Sequence, residues 1–321
     1  MLNFLRNNQP FFFILSAWVV LLLGLPIQYY KLIQETPLLI FGPLLKLPVF
    51  VYYLVFAGLI FFTSFKINRI INKSVLFPKS FYLPGFLYLI LMVFYAPVEY
   101  LFLPTLSNLF IVLAMGEFLQ IFRNESCKNL IFKANLYLFS SVLLSPLNFI
   151  LIPISWVILF IIRPFEWREY LMPIIVFCLF AIYIIPFGLI NNKLDIWVIN
   201  WWQTLLRVTF LPKKIIPIIY ITFLSVGLIF SINPISTTFI RSNNRYKKII
   251  WVIISLLFFS FLIALVSVFK ISHNTPYLFP FFIPMSIIIS NGMIKSRFKW
   301  VIDLFLVLFI SISLLVGFQL L

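Results

Sequence analysis

The sequence predicts an all-α fold, a polytopic bundle of transmembrane helices. Of the 321 residues, 63% are hydrophobic and 10% are charged, and the mean hydropathy of +1.13 lies far above that of soluble domains. Apolar runs of nearly bilayer length recur from one end of the chain to the other. About 20 apolar residues span the hydrocarbon, so the runs predict about eleven membrane segments. We expect them to form one integral membrane domain over residues 1–321.

The apolar runs define each segment in chain order. The first run follows Arg6, and no small-residue cleavage motif follows Gly24, so we expect a retained span and not a signal peptide. The predicted segments are 10–26, 47–63, 81–95, 100–122, 134–146, 149–162, 170–190, 215–232, 249–269, 277–293 and 300–321.

The stretch 134–162 is compatible with one long helix or with two short helices. Two short helices place most of the 24 Lys and Arg residues on one side of the membrane, whereas one long helix divides them almost evenly. Because Lys and Arg concentrate in short cytoplasmic loops, the charge bias favours the short, re-entrant-like pair. The junction carries residues typical of a tight turn, namely Ser140, Ser141, Ser145, Pro146 and Asn148.

The same bias predicts a cytoplasmic N-terminus and an external C-terminus. It also explains the net charge of +16 without a nucleic-acid partner. Cys127 lies in a basic loop and Cys178 within a span, so their positions suggest neither a disulfide nor a metal site. No cofactor-binding motif is present in the sequence.

Two predicted outer loops are long enough to contribute to function. Loop 27–46 carries Glu35 between apolar stretches, and loop 191–214 is amphipathic, with Trp197 and Trp201 on one helical face. This second loop is interpreted either as an aromatic anchor in the membrane interface or as a platform for an anionic lipid headgroup. The headgroup interpretation uses its basic residues, among them Arg207, Lys213 and Lys214.

The acidic residues are few enough to assign individually. Three lie in basic cytoplasmic loops, where local charge pairing is expected: Glu125, Glu166 and Glu169. The predicted outer face carries Glu35, Glu99 and Asp195. A carboxylate at the membrane edge can have a raised pKa and act as a general base, which makes Glu35 and Glu99 the catalytic candidates.

The stretch Lys270–Asn291 joins the only histidine, His273, to an apolar run containing Pro276, Pro280 and Pro284. Short proline-broken helices beside polar groups are one way in which membrane proteins build sites inside a bilayer. His273 and Lys270 are therefore candidates for binding a phosphate, or they are ordinary surface residues.

Two stretches resemble polyprenyl-phosphate-sugar-dependent glycosyltransferases of the GT-C architecture. Tyr277-Leu278-Phe279-Pro280, followed by a second proline at 284, is similar to a late span of those enzymes. The short pair within Lys133–Glu169, with its Arg-Pro-Phe-Glu-Trp-Arg-Glu loop, is similar to their middle helices and cytoplasmic turn. The whole chain also resembles a family of bacterial inner-membrane proteins of uncharacterised function.

The GT-C resemblance implies an inverting transferase that takes a sugar from a lipid carrier at the outer membrane face. Glu35 would be the general base; Glu99 is the alternative from its position at the membrane edge, and the residue pattern itself suggests no metal or cofactor. The residues implied in binding the lipid phosphate are Arg207, Lys213, Lys214, Lys270 and His273. The chain departs from the pattern before the Tyr-Leu-Phe-Pro run, where Thr275 and Pro276 replace the expected basic residue.

Two other functions stay open. Scarce polar pairs and apolar lipid-facing spans are also typical of a non-enzymatic subunit of an inner-membrane complex for envelope biogenesis or export. A transporter is the third interpretation, since proline-broken spans suit it, although no charged residue is placed in the middle of a span. Membrane lipids are expected partners in every case.

Overall fold

A computed structural model describes residues 11, 13–22, 24, 49–74, 76, 81–95, 102–123, 127–190, 215–269, 279–295, 307–308 and 311. Every regular element in these ranges is helical, and none is a strand, which confirms the all-α prediction. Three helical stretches are long and apolar enough to cross a membrane: Leu54–Ser74, Leu224–Arg241 and Asn244–Val266. The chain is a helical membrane protein, and the count of eleven segments stays a prediction.

The described helices lie on the first ten predicted segments, and the predicted segment 300–321 lies outside the described residues except at positions 307–308 and 311. The helices are α1 (Phe13–Leu22), α2 (Val49–Ser74), α3 (Leu83–Tyr95), α4 (Phe102–Gln120), α5 (Lys128–Leu144), α6 (Ile154–Ile162), α7 (Trp167–Tyr170), α8 (Met172–Ile190), α9 (Ile215–Arg241), α10 (Asn244–Phe269) and α11 (Phe279–Lys295). Two 3₁₀ segments cover Ile121–Arg123 and Pro146–Leu151. Both α2 and α9 continue past their predicted ends, because hydropathy marks where a helix meets the membrane edge and not where its backbone hydrogen bonds stop.

The chain divides into two compact units whose segments alternate along the sequence. Unit 1 contains Met1–Thr105, Lys214–Ser242 and Phe282–Leu321, and unit 2 contains Leu106–Lys213 and Asn243–Phe281.

In unit 1, α2 packs on α3 through a close contact. The backbone N–H of Gly85 donates to Oδ1 of Asn68 at 2.8 Å, and a Cβ at position 85 would collide with the Asn68 side chain and the Ser64 carbonyl. Every side chain from Leu83 to Val93 is buried, so α3 is an interior helix of the fold.

Helix α11 is also interior: from Phe279 to Met293, all side chains but that of Ile288 are buried. Gly292 lies directly against Ser231 of α9, with no room for a side chain between them. Pro280 and Pro284 do not break the helix, contrary to the expectation of short proline-broken pieces. Pro280 lies in the first turn, where its missing N–H removes no helical hydrogen bond, and the helix accommodates Pro284 at the cost of one such bond.

In unit 2, residues 127–163 form a helical hairpin. Helix α5 ends at Leu144, Ser145 is extended (φ −142°, ψ 101°), and the 3₁₀ segment Pro146–Leu151 leads into α6. Pro146 cannot donate a backbone hydrogen bond and disfavours helical geometry at the preceding residue, which explains the break at Ser145. The predicted interruption of 134–162 is confirmed.

The hairpin packs on two long helices of the same unit. The descending half, the 3₁₀ segment and α6, packs against α10, while the ascending α5 packs against α8 through Phe139, Phe177 and Phe180. Its outward surface is apolar, with Phe160 79% exposed. An exposed apolar side chain on a membrane helix faces lipid tails without a free-energy cost.

Candidate functional site

A buried polar cluster lies at the tip of the hairpin in unit 2. Nδ2 of Asn148 donates to Oγ of Ser107 at 2.5 Å, and Ser107 in turn donates to the carbonyl of Ser141 at 3.0 Å. Asn148 and Ser107 are each 1% exposed. Ser107 belongs to α4, Ser141 to α5 and Asn148 to the 3₁₀ segment. These hydrogen bonds therefore join α4 to both halves of the hairpin, and Ser107 and Asn148 are 41 positions apart in the chain.

The tip cluster can orient groups but contains no residue that transfers a proton near neutral pH. Its members are amides and hydroxyls, which donate and accept hydrogen bonds without changing charge. Oδ1 of Asn148 is buried without a hydrogen-bond partner in the part of the chain that the structure describes. The chemistry available here is positioning.

A charged cluster lies at the base of the hairpin, at the turn Arg163–Tyr170, which we call the basal turn. Nη1 of Arg163 lies 3.3 Å from Oε1 of Glu169, whose side chain is 3% exposed. The predicted pairing of acids in this basic loop is therefore confirmed for Glu169. Nε1 of Trp156 donates to the carbonyl of Tyr170 at 3.1 Å, which ties the end of the turn back to α6.

Helix α10 also contributes to the base of the hairpin. Nζ of Lys248 donates at 2.8 Å to the carbonyl of Ile162, the last residue of α6. The terminal carbonyls of a helix carry partial negative charge and favour a cation, so Lys248 stabilises the point where the hairpin ends.

Cys127, directly before α5, is buried in this cluster. Burial raises the pKa of its thiol above the ordinary value, and the nearby charges of Arg163, Glu169 and Glu166 act on it with opposing signs. A thiol with a raised pKa is a poor nucleophile, so Cys127 is a structural residue here. Its electrostatic contact with residues 163–169 places both ends of the hairpin at the same end of unit 2.

The N-terminal turn of α11 is the described part of the Tyr-Leu-Phe-Pro stretch, the first of the two that resemble GT-C enzymes. Phe279, Phe281 and Phe282 are at most 3% exposed. The chain is therefore buried from the first residue of α11.

The predicted site residues all lie outside the described residues. This holds for the catalytic candidates Glu35 and Glu99 and for the phosphate-binding candidates Arg207, Lys213, Lys214, Lys270 and His273. Their roles stay predictions. Within the described residues, no three His, Cys, Asp or Glu side chains converge as a metal site would require.

Sequence reasoning placed Asn148 at a turn but missed its contact with Ser107. A polar residue inside an apolar run is the only sequence signal for such a contact, and it does not identify the partner. Asn68 and its contact with Gly85 were missed for the same reason. No protein-family model, curated protein or solved structure matches the chain.

Proposed function

We propose that this membrane protein is a GT-C-like glycosyltransferase of the bacterial inner membrane that uses a polyprenyl-phosphate-linked sugar at the outer face. The observation that carries the proposal is the burial of α11 from its first residue, Phe279, which is the third residue of the Tyr-Leu-Phe-Pro motif. Lys270 and His273 precede this buried turn by nine and six residues in the sequence, and we assign them to the phosphate site.

The reaction assigns one role to each group of residues. Glu35 accepts the proton of the acceptor hydroxyl as that oxygen attacks the anomeric carbon of the sugar. The bond between that carbon and the phosphate oxygen breaks, and the polyprenyl phosphate leaves with the electron pair. Basic side chains stabilise the developing charge on the phosphate, and the candidates are Arg207, Lys213, Lys214, Lys270 and His273.

The test substitutes the two acidic candidates separately. Glu35→Gln should lower glycan product formation in cells about 100-fold or more, because a positioned general base contributes at least that much. Glu166→Gln is the matched control, since Glu166 is an exposed carboxylate in the basal turn, and it should leave product unchanged. Loss of product with Glu99→Gln alone would move the base to Glu99. Normal product with both variants would contradict the transferase proposal.

A second candidate is a non-enzymatic subunit of an inner-membrane envelope-biogenesis or export complex. It is favoured by the internal hydrogen bonding of the helices, where serine and threonine hydroxyls such as those of Thr63, Ser286 and Ser290 donate to carbonyls of their own helix. Hydroxyls that already donate their hydrogen bonds within a helix are poorly placed to bind or activate a substrate. A stoichiometric protein partner that survives purification in mild detergent would support this function, and a monomer with bound isoprenoid lipid would contradict it.

A further inference from the structure

The basal turn presents a run of exposed side chains on a constrained backbone. Its two ends are held by the Arg163–Glu169 ion pair and by the hydrogen bond from Trp156 to Tyr170. Between them, every side chain from Pro164 to Arg168 is exposed. A surface whose backbone is already ordered loses little entropy when it binds a ligand.

Two large aromatic rings are exposed in this run. Phe165 is 73% exposed and Trp167 is 60% exposed, and Cζ of Arg168 lies 5.6 Å from the centroid of the Trp167 ring. Lipid tails would accommodate the rings but not the adjacent charges of Glu166 and Arg168. Alternating rings and charges match the headgroup layer of a bilayer, where amphipathic aromatic residues concentrate.

Basic residues surround the basal turn in excess over acidic ones. Lys128 follows Cys127, which is electrostatically coupled to the turn, and Lys248 contacts the last carbonyl of α6. Arg245 lies one turn before Lys248 on α10. Among the described residues, no carboxylate forms an ion pair with Lys128, Arg168, Arg245 or Lys248, whereas Glu169 is already paired with Arg163. The unneutralised charge fits an anion.

We propose that the basal turn, together with Lys128 and Lys248, binds the headgroup of an anionic phospholipid. The Arg168 guanidinium donates paired hydrogen bonds to the phosphate oxygens, and the lysine ammonium groups add charge. Phe165 and Trp167 enter the interface beside the headgroup. This site is independent of the proposed transferase chemistry, which is placed on the outer face.

The test measures lipid binding by the purified full-length chain with native mass spectrometry. The probe is phosphatidylglycerol, and phosphatidylcholine, which is zwitterionic with no net charge, is the comparison. The wild type should bind phosphatidylglycerol preferentially, and Arg168→Gln should weaken that binding about fivefold, the usual contribution of one basic residue near an anionic membrane. Trp167→Ala should also weaken it, and binding of phosphatidylcholine should change little.

Arg241→Gln is the matched control, because Arg241 is an exposed basic residue at the end of α9, in the other unit. It should retain the preference for phosphatidylglycerol. Equal binding of both lipids by the wild type, unchanged affinity in Arg168→Gln, or an equal loss in Arg241→Gln would each overturn the proposal. If the variants do not fold, the wild type is measured at ammonium acetate concentrations from 50 to 500 mM, over which the screening length falls from about 14 to about 4 Å. The preference for phosphatidylglycerol should weaken as the salt rises, and a salt-independent preference would overturn the proposal.

Discussion

Single polar side chains and the glycines opposite them determine how neighbouring helices approach each other in this chain. Asn68 of α2 accepts a hydrogen bond from the backbone N–H of Gly85. Because Gly85 has no Cβ, its backbone can lie close to the Asn68 side chain. Backbone approach at small residues is a common way to pack helices in membranes, where apolar burial against lipid supplies little driving force. Gly292 and Ser231 repeat this arrangement within the same unit.

We expect Gly85→Ala to lower the free energy of unfolding by about 1–3 kcal/mol, because the added methyl group overpacks the contact with Asn68 and Ser64. Gly58→Ala is the matched control. Gly58 lies on an exposed face of α2, and a methyl group added there would meet no other atom within 4 Å, so alanine should be neutral or stabilising by up to about 1 kcal/mol. Denaturant unfolding of both variants in detergent measures the difference. Equal stability of the two would show that the contact does not constrain α2 against α3.

At the scale of elements, the hairpin of α5 and α6 is the feature on which the arrangement of unit 2 depends. Pro146 ends the ascending helix, and the descending half returns the chain to the level of Cys127. The 17 residues of α5 extend about 26 Å, a length comparable with the thickness of the hydrocarbon core of a bilayer. The charge bias predicted this return, but only the packing on α8 and α10 shows what supports it.

We expect residues 128 and 166 to be accessible from the same side of the membrane. The test introduces Lys128→Cys or Glu166→Cys singly into a Cys127→Ser, Cys178→Ser background and labels intact and opened vesicles with an impermeant maleimide. Arg245→Cys is a same-side control, because its helix contacts the end of α6 through Lys248. Labelling of positions 128 and 166 from opposite sides would mean that 134–162 crosses the membrane once.

Across the whole molecule, basic residues collect where helices end. In unit 1, Lys295 at the end of α11 donates to Thr238 near the end of α9 at 3.2 Å, and Arg241 closes α9. In unit 2, Arg163, Arg168 and Lys248 lie at the base of the hairpin. These named residues all belong to the set that the positive-inside rule assigns to one side of the membrane, and that assignment stays a prediction.

The orientation of the whole chain can be tested with reporter fusions. Alkaline phosphatase, which is active only outside the cytoplasm, should be inactive when fused after Asn243, between α9 and α10. It should be active when fused within the loop 191–214, and a fluorescent-protein fusion should give the opposite pattern at each site. The reverse result would place the N-terminus outside and would move the proposed outer-face chemistry to the cytoplasm.

By itself, the sequence determined that the protein is helical and resides in a membrane, and it located the helices to within a few turns. These properties depend on local composition. Backbone N–H and C=O groups in lipid have no water to bond, and an α-helix satisfies their hydrogen bonds within a single apolar run. It also located the break at Pro146, which follows from the covalent structure of proline. The candidate site residues were inferred from residue type and resemblance alone, and their roles await the experiments described above.

Only the tertiary structure decided which polar groups meet and which helices are interior. The contact between Ser107 and Asn148 joins positions 41 residues apart, and nothing in either local stretch identifies the other. The burial of α3 and α11 could not be predicted from hydropathy, because core and lipid-facing helices in a membrane are both apolar. A helix becomes interior only through the neighbours that cover it, and long-range packing selects those neighbours.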